Sequence, residues 1–381
     1  MRIQTEIGLL GNTFTGLSGK TKVDFGHGDA QYITFLNVLT HPTIDPTIFE
    51  RVNVKPNEKQ NLCKKGDLFF NTSSETPEEV GMCSCLNVNV PRLYLNSFCF
   101  GFRLKEDASA DSQYLAYFFR GKEGRQIMTM LAQGATRYNL SKENFMRTSI
   151  ELPPKPEQER IAAALTSIDS LIDNLERTIQ KKKHIREGAM EELLSGKRRL
   201  PGFSGEWVEK EIGVICHQMR RGSMLKSEDF IAGNIPVIAA GTEPAGYHNV
   251  ANRPPMTISV SSSGANAGYI QFHPYPIFAG DCFTISGSEE YDVQFIYYLL
   301  KNKQKEIFKL QTGGAQPHVH PKDLAPFVIP YTFDIHEQHA IADTLTALDD
   351  EIALLQAERD KYLQIRSGMM DDLLTGKIRL Q

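Results

Sequence analysis

Hydrophobic positions follow two regimes along this chain. In residues 1–152 and again in 201–331 they form short runs, QYITFLNVL, GDLFFNTS and SFCFGFRL, then IPVIAAG, MTISVSSSG and YPIFAGDCFTISG. These runs are rich in β-branched and aromatic residues and bounded by Gly, Pro, Asn and Ser, which predicts short strands and loops. Each stretch closes on a segment of helical period, SQYLAYFFRGKEGRQIMTMLAQ and VQFIYYLLKNKQKEIFKLQ. The second regime is helical throughout. Ile161, Leu165, Ile168, Ile172, Leu175 and Ile179 step by four and three residues, the seam a helix presents to a coiled-coil partner. Ile341, Leu345, Leu348, Ile352 and Leu355 repeat those steps until Arg359 interrupts them. Pro153, Pro154 and Pro156 set the earliest start of the first helix, and Gly196 and Gly376 are the natural stops. Each helix should run for about 38 residues, on the order of 55–60 Å.

The two helices are copies of one another. Residues 157–200 and 337–380 agree at 20 of 44 positions, from EQERIAAALTSIDSLID against EQHAIADTLTALDDEIA to GKRRL against GKIRL. The offset of 180 extends back to Gly134-Ala135 against Gly314-Ala315 and to Tyr117 against Tyr297. Glu6-Ile7-Gly8 matches Glu211-Ile212-Gly213 at an offset of 205, so the first block is the longer by about 25 residues. Long heptad helices also serve plain homodimerisation, but two copies in one chain pair most economically with each other. Residues 153–200 carry 10 basic and 8 acidic side chains and residues 332–381 carry 5 and 10, opposite balances that favour this pairing. The expectation is an α/β (α+β) chain. Two globules with mixed, curved β-sheets are separated by an antiparallel intramolecular coiled coil, in a pseudo-twofold arrangement. Boundaries fall at 1–152, 153–200, 201–331 and 332–381.

Bulk chemistry narrows the function. The net charge of −4 gives no global attraction to nucleic acid, so any such site is a local patch. No run is long and apolar enough to span a membrane, and the N-terminal residues do not read as a signal peptide. Six cysteines without a CxxC pair fit reduced thiols in the cytoplasm. SGKT at 18–21 lacks the leading glycine of a phosphate loop, Phe14 standing there. Asp24-Phe25-Gly26 has none of the other kinase motifs around it. RPPM at 253–256 departs from the (Asn/Asp)-Pro-Pro-(Tyr/Phe) of amino-methylating DNA methyltransferases, and no acidic nuclease cluster is evident. His318 and His320 could share one strand face, but no close third ligand accompanies them, so no metal site is expected. No catalytic residue is assigned.

The doubled EQxxIAxxL[TS]x[IL]D…GKxRL signature, behind two unlike blocks, resembles the specificity subunit of type I restriction-modification systems. The likeness covers essentially the whole chain and includes QGATRYNLSKENFMRTSIELPPKPEQ and GGAQPHVHPKDLAPFVIP. It implies that the blocks are target-recognition domains and the helices a spacer. Together they would read a bipartite, asymmetric target in double-stranded DNA. It further implies two docked modification subunits that carry S-adenosylmethionine and methylate adenine, restriction subunits that use ATP and Mg, and no cofactor on this chain. The rival readings are a coiled-coil adaptor without DNA specificity and a stand-alone methyltransferase or nuclease.

Readers of base edges and phosphates should be polar or basic and carried on loops. The candidates in the first block are Asn71, Thr72, Ser73 and Ser74, then Lys20, Lys22, Arg137 and Asn139. In the second they are Arg220, Arg221 and Lys226, then Ser261, Ser262, Ser263 and Asn266, then Gln316 and His318. The run KKKHIR at 181–186 reads as a solvated face or partner contact.

Overall fold

A computed structural model describes residues 2–225 and 230–380. The chain divides into two compact units, Met1–Asn174 with Glu358–Gln381, and Leu175–Ala357. These boundaries differ from the four-part division expected from sequence. Each block shares a unit with one half of each long helix, because its core is completed by the helices.

In the first unit a four-stranded antiparallel sheet runs in the order Gly11–Thr15, Cys99–Leu104, Leu68–Asn71, Cys83–Cys85. Its register sets Phe70 opposite Phe100, with ring centroids 5.2 Å apart. These rings, with Phe102, Phe119 and Phe145, form the centre of the core. The helix Ser112–Arg120 closes over it, started by the Asp111 carboxylate accepting from the Tyr114 N–H at 2.7 Å. A second sheet holds Glu50–Val52, Phe25–Ile33 and Leu93–Leu95, with one antiparallel and one parallel pairing. Ile3–Glu6 pairs with Ser149–Leu152, which leads directly into the first long helix.

The second unit repeats this plan with other residues. Its four-stranded antiparallel sheet is Arg220–Arg221, Cys282–Ser286, Thr257–Ser261, Ile270–His273. Its mixed sheet is Gly246–His248, Ile235–Ile238, Phe278–Ala279, and Trp207–Glu211 pairs with Val328–Thr332. Asp292 starts the helix Val293–Asn302 as Asp111 starts its counterpart.

The long helices are Lys155–Leu193 and Ile335–Thr375, 39 and 41 residues. Pro156 lies within the first turn, where its missing N–H costs no helical bond. Gly196 and Gly376 follow the helix ends with φ of +67° and +75°, conformations that glycine alone adopts without strain. Ile161, Leu165, Ile168, Ile172, Leu175, Ile179, Ile341, Leu345 and Ile352 are buried, and Leu348 and Leu355 half-buried. Arg359 does not end the seam. The same steps continue through half-buried Arg359, Tyr362, Arg366 and Met369 to buried Leu373, and in the first helix through Lys182 and Arg186 to Leu193.

Three of these polar seam positions, Arg366, Arg186 and Lys182, are paired across the helices. In the first unit Arg366 donates to Asp169 and Arg379 to Glu157; in the second Arg186 reaches Asp349 at 2.5 Å and Lys182 reaches Glu351 at 2.6 Å. The start of one helix thus lies along the end of the other in each unit, the antiparallel sense. KKKHIR is therefore partly an inter-helix contact.

Candidate nucleic-acid interface

In each unit the segment around Gly-Ala folds back as a hairpin onto the serine-rich end of a central strand. In the first unit Ala132–Gln133 pairs with Tyr138–Leu140, which pairs in turn with Ser73–Ser74. Gly134 takes a φ of +135° at the turn, where an added Cβ would lie 2.1 Å from the Arg137 carbonyl. Leu140 is buried and Tyr138 and Ala132 pack against the same core. The alternation of a strand then turns Asn139 outward, with Gln133 and Ser73 directly opposite it on either side. Gln133, Arg137 and Asn139 are exposed and Ser73 half-buried.

The second unit builds the same corner from bridges. His318 pairs with Ser263 on one side and with Thr312 on the other. Val319 points into the core, so His318 and His320 share the outer face, their rings parallel at 5.8 Å. Gln316 and Thr312 are exposed there. Among the described residues no group of three His, Cys, Asp or Glu side chains is placed to hold a metal.

The sequence candidates separate on this geometry. Ser73, Arg137 and Asn139 come together on the first ribbon with half-buried Thr72; Gln316, His318 and half-buried Ser262 and Asn266 gather at the second. Lys22, in a one-turn helix, and Arg220 and Arg221, on an edge strand, are exposed but lie off the ribbons. Lys226 lies outside the described residues.

Five candidates have side chains engaged by partners inside the fold. Asn71 is fully buried; its amide donates to the Glu79 carbonyl at 2.9 Å and its oxygen accepts from the Met82 N–H at 2.6 Å. Lys20 donates to the Asn53 carbonyl at 2.6 Å and pairs with Glu58. Ser74 donates to Glu79 at 2.7 Å. Ser261 donates to the Ala240 carbonyl at 3.2 Å, and buried Ser263 donates to Asp281. Gln133 and Thr312, not among the sequence candidates, are exposed just before Gly134 and Gly313, where the chain turns.

Titratable groups near the sheets are structural. His273, 3% exposed, accepts or donates at 2.7 Å with Ser259, and burial lowers its pKa to about 4, so it is neutral. All six thiols are buried, which pushes their pKa values up and leaves them poor nucleophiles.

The two blocks are tied to the helices through equivalent contacts. Tyr117 donates to Asp169 at 2.7 Å and Tyr298 to Asp349 at 2.9 Å. Tyr298, one residue beyond the expected Tyr297, is thus the partner of Tyr117. Gln158 accepts from the Asp111 N–H at 2.9 Å and Gln338 from the Asp292 N–H at 2.8 Å. Arg379 reaches Glu157 at 2.5 Å, and Arg199 reaches Glu337 at 2.5 Å. The arginine of each GKxRL ending therefore closes on the glutamate that opens the other copy.

The fold is a duplicated one, each unit carrying a polar ribbon and one half of each long helix. The model of the type I restriction modification DNA specificity domain matches residues 28–183 and 204–363, and the chain belongs to that family. It is 24% identical over 306 residues, 71% of both chains, to the type I restriction enzyme MjaVIII specificity subunit of Methanocaldococcus jannaschii. A provisionally named MjaX specificity subunit of the same organism is 24% identical over 97% of this chain and 91% of its own. The crystal structure of the type I restriction-modification S subunit from M. genitalium superposes with a TM-score of 0.72. That match has 20% identity and covers 98% of this chain and 96% of the other.

Proposed function

We propose that this chain is the DNA-reading, non-catalytic specificity subunit of a type I restriction-modification complex. Each unit reads one half of a bipartite, asymmetric target in double-stranded DNA. The observation that carries this reading is the pair of ribbons. They occupy the same place on the same scaffold yet present different outward side chains, as two readers of two different half-sites should. The long helices, about 60 Å at 1.5 Å per residue, act as the ruler that sets the unread gap. One turn of B-DNA is about 34 Å, so helices of this length can serve two half-sites on one face of the duplex.

Two modification subunits dock on the doubled helices and the GKxRL endings, bind S-adenosylmethionine and methylate adenine at N6. Restriction subunits with ATP and Mg join through that assembly, and no cofactor binds this chain. The six buried thiols, together with the absence among the described residues of a helix able to cross a membrane, fit a cytoplasmic complex. The test is a genome-wide map of methylated adenines in cells making this chain with its modification subunit. A split motif with two unlike halves is expected, and an undivided motif would overturn the reading. The purified chain given S-adenosylmethionine alone should transfer no methyl group.

A further inference from the structure

We infer that the outward row Gln133–Asn139–Ser73 reads base edges, and that its two carboxamides select an adenine–thymine pair in the half-site contacted by the first unit. The inference rests on the DNA-reading function proposed above and assigns the side chains that perform it.

Directly opposed residues on neighbouring strands stand about 5 Å apart, so a three-residue row across this ribbon spans roughly 10 Å. The two carboxamides stand on its two-stranded hairpin, the kind of ribbon that a major groove of about 12 Å admits, with Ser73 at the rim. The row is held from behind, since Tyr138, Leu140 and Ala132 pack against the core on the opposite face. Asn139 donates one amide hydrogen to the Arg137 carbonyl of its own turn at 3.2 Å. Its oxygen and second amide hydrogen have no intramolecular partner among the described residues, leaving an acceptor and a donor that match N6 and N7 of adenine. Gln133, opposite it, has no intramolecular partner among the described residues and offers a second such pair.

Charge points the same way. Glu75, Glu78 and Glu79 are exposed beside the ribbon and repel phosphate, while Arg137 at the hairpin tip is its one cation. The row is therefore suited to base edges, with Arg137 as the phosphate contact. In the second unit the row across the ribbon is Thr312, His318 and buried Ser263, with no carboxamide in it; Gln316 lies at the tip and Asn266 is half-buried to the side. Reading by paired carboxamides is thus a property of the first unit.

The experiment compares methylation maps from cells carrying the modification subunit with the wild-type chain, Asn139→Ala, Gln133→Ala and, as a control, His318→Ala. Asn139→Ala or Gln133→Ala should relax one adenine–thymine position of one half-site, with discrimination there falling roughly tenfold to a hundredfold. The gap and the other half-site should stay unchanged. His318→Ala should alter only the half-site that the first two variants leave alone. Unchanged half-sites in both carboxamide variants, or relaxation at a guanine–cytosine pair, would overturn the assignment. So would a uniform loss of methylation at every site with the motif intact. An undivided motif in the wild type would instead sink the DNA-reading function itself, so the two failures are distinguishable.

Discussion

The two units share a set of contacts between block and long helices and differ in the side chains on their ribbons. Glu157 with Arg379, Gln158 with Asp111 and Tyr117 with Asp169 reappear as Glu337 with Arg199, Gln338 with Asp292 and Tyr298 with Asp349. On the ribbons nothing is shared in that way: carboxamides and a hydroxyl stand in one unit, imidazoles and a hydroxyl in the other. Duplication has thus kept the contacts that hold the blocks to the helices and let the ribbon side chains diverge. A second contrast lies at the glycines after the helices. Trp207 covers Gly196, while Arg2 covers Gly376 beside a cavity of about 220 Å³ lined by Pro153, Glu157, Thr375 and Arg379.

The deepest test of this equivalence is to cut the same seam in each unit. Leu165 and Leu345, both fully buried, anchor the helices to separate cores. Either changed to alanine should cost about 2–5 kcal/mol by denaturant unfolding. Hydrogen exchange should place each loss chiefly in its own unit. Equal loss of protection in both units after one substitution would show that they do not open separately.

Acid should distinguish the units next. His273 is neutral in the fold down to a pH of about 4, whereas the unfolded chain protonates near 6.5. The unfolded state binds the extra proton, so this contribution to stability is full above pH 6.5. It falls as pH drops toward 4, by on the order of 3 kcal/mol at most. His273→Phe should flatten the pH dependence of the second unit over that window. A slope unchanged by the substitution would contradict the buried, neutral imidazole.

The inter-helix pairs come third. Asp169→Asn and Asp349→Asn each weaken a half-buried arginine–carboxylate pair and a tyrosine hydrogen bond, and each should cost about 1–2 kcal/mol in thermal or denaturant melts. Matching costs are expected because the two triads are equivalent; a cost confined to one would break the correspondence. The smallest effect is at Tyr114, whose buried hydroxyl has no partner among the described residues, while the corresponding side chain in the second unit is Phe295. Tyr114→Phe should leave stability unchanged or raise it by about 1 kcal/mol. A loss of that size would reveal a partner for the hydroxyl.

The scaffold was legible in sequence because helices betray their seam by period. The apparent break at Arg359 misled for a physical reason: long charged side chains can occupy seam positions when a carboxylate across the helix pair receives them, as Asp169 receives Arg366. Tyr298 was mistaken for Tyr297 because the second block is one residue shorter between this tyrosine and Gly314, so the offset before it is 181 rather than 180. Where the named polar residues would stand was not legible. Ser73, Asn139, Gln316 and His318 lie on the ribbons, while Asn71, Lys20, Ser74, Ser261 and Ser263, named on the same loop chemistry, have side chains bonded inside the fold. A short polar side chain carries the same letter whether it ties a turn internally or faces a ligand, and only the register across strands separates the two.

The most direct test of the central claim lengthens the holding part and leaves the reading parts alone. One matched heptad is inserted into both long helices, after Ile172 and before Arg359, and methylated sites are mapped with the modification subunit present. Seven residues add about 10 Å, so the gap should widen by about two to three base pairs while both half-sites keep their sequences. An unchanged gap, or an altered half-site, would contradict the division between what repeats and what reads.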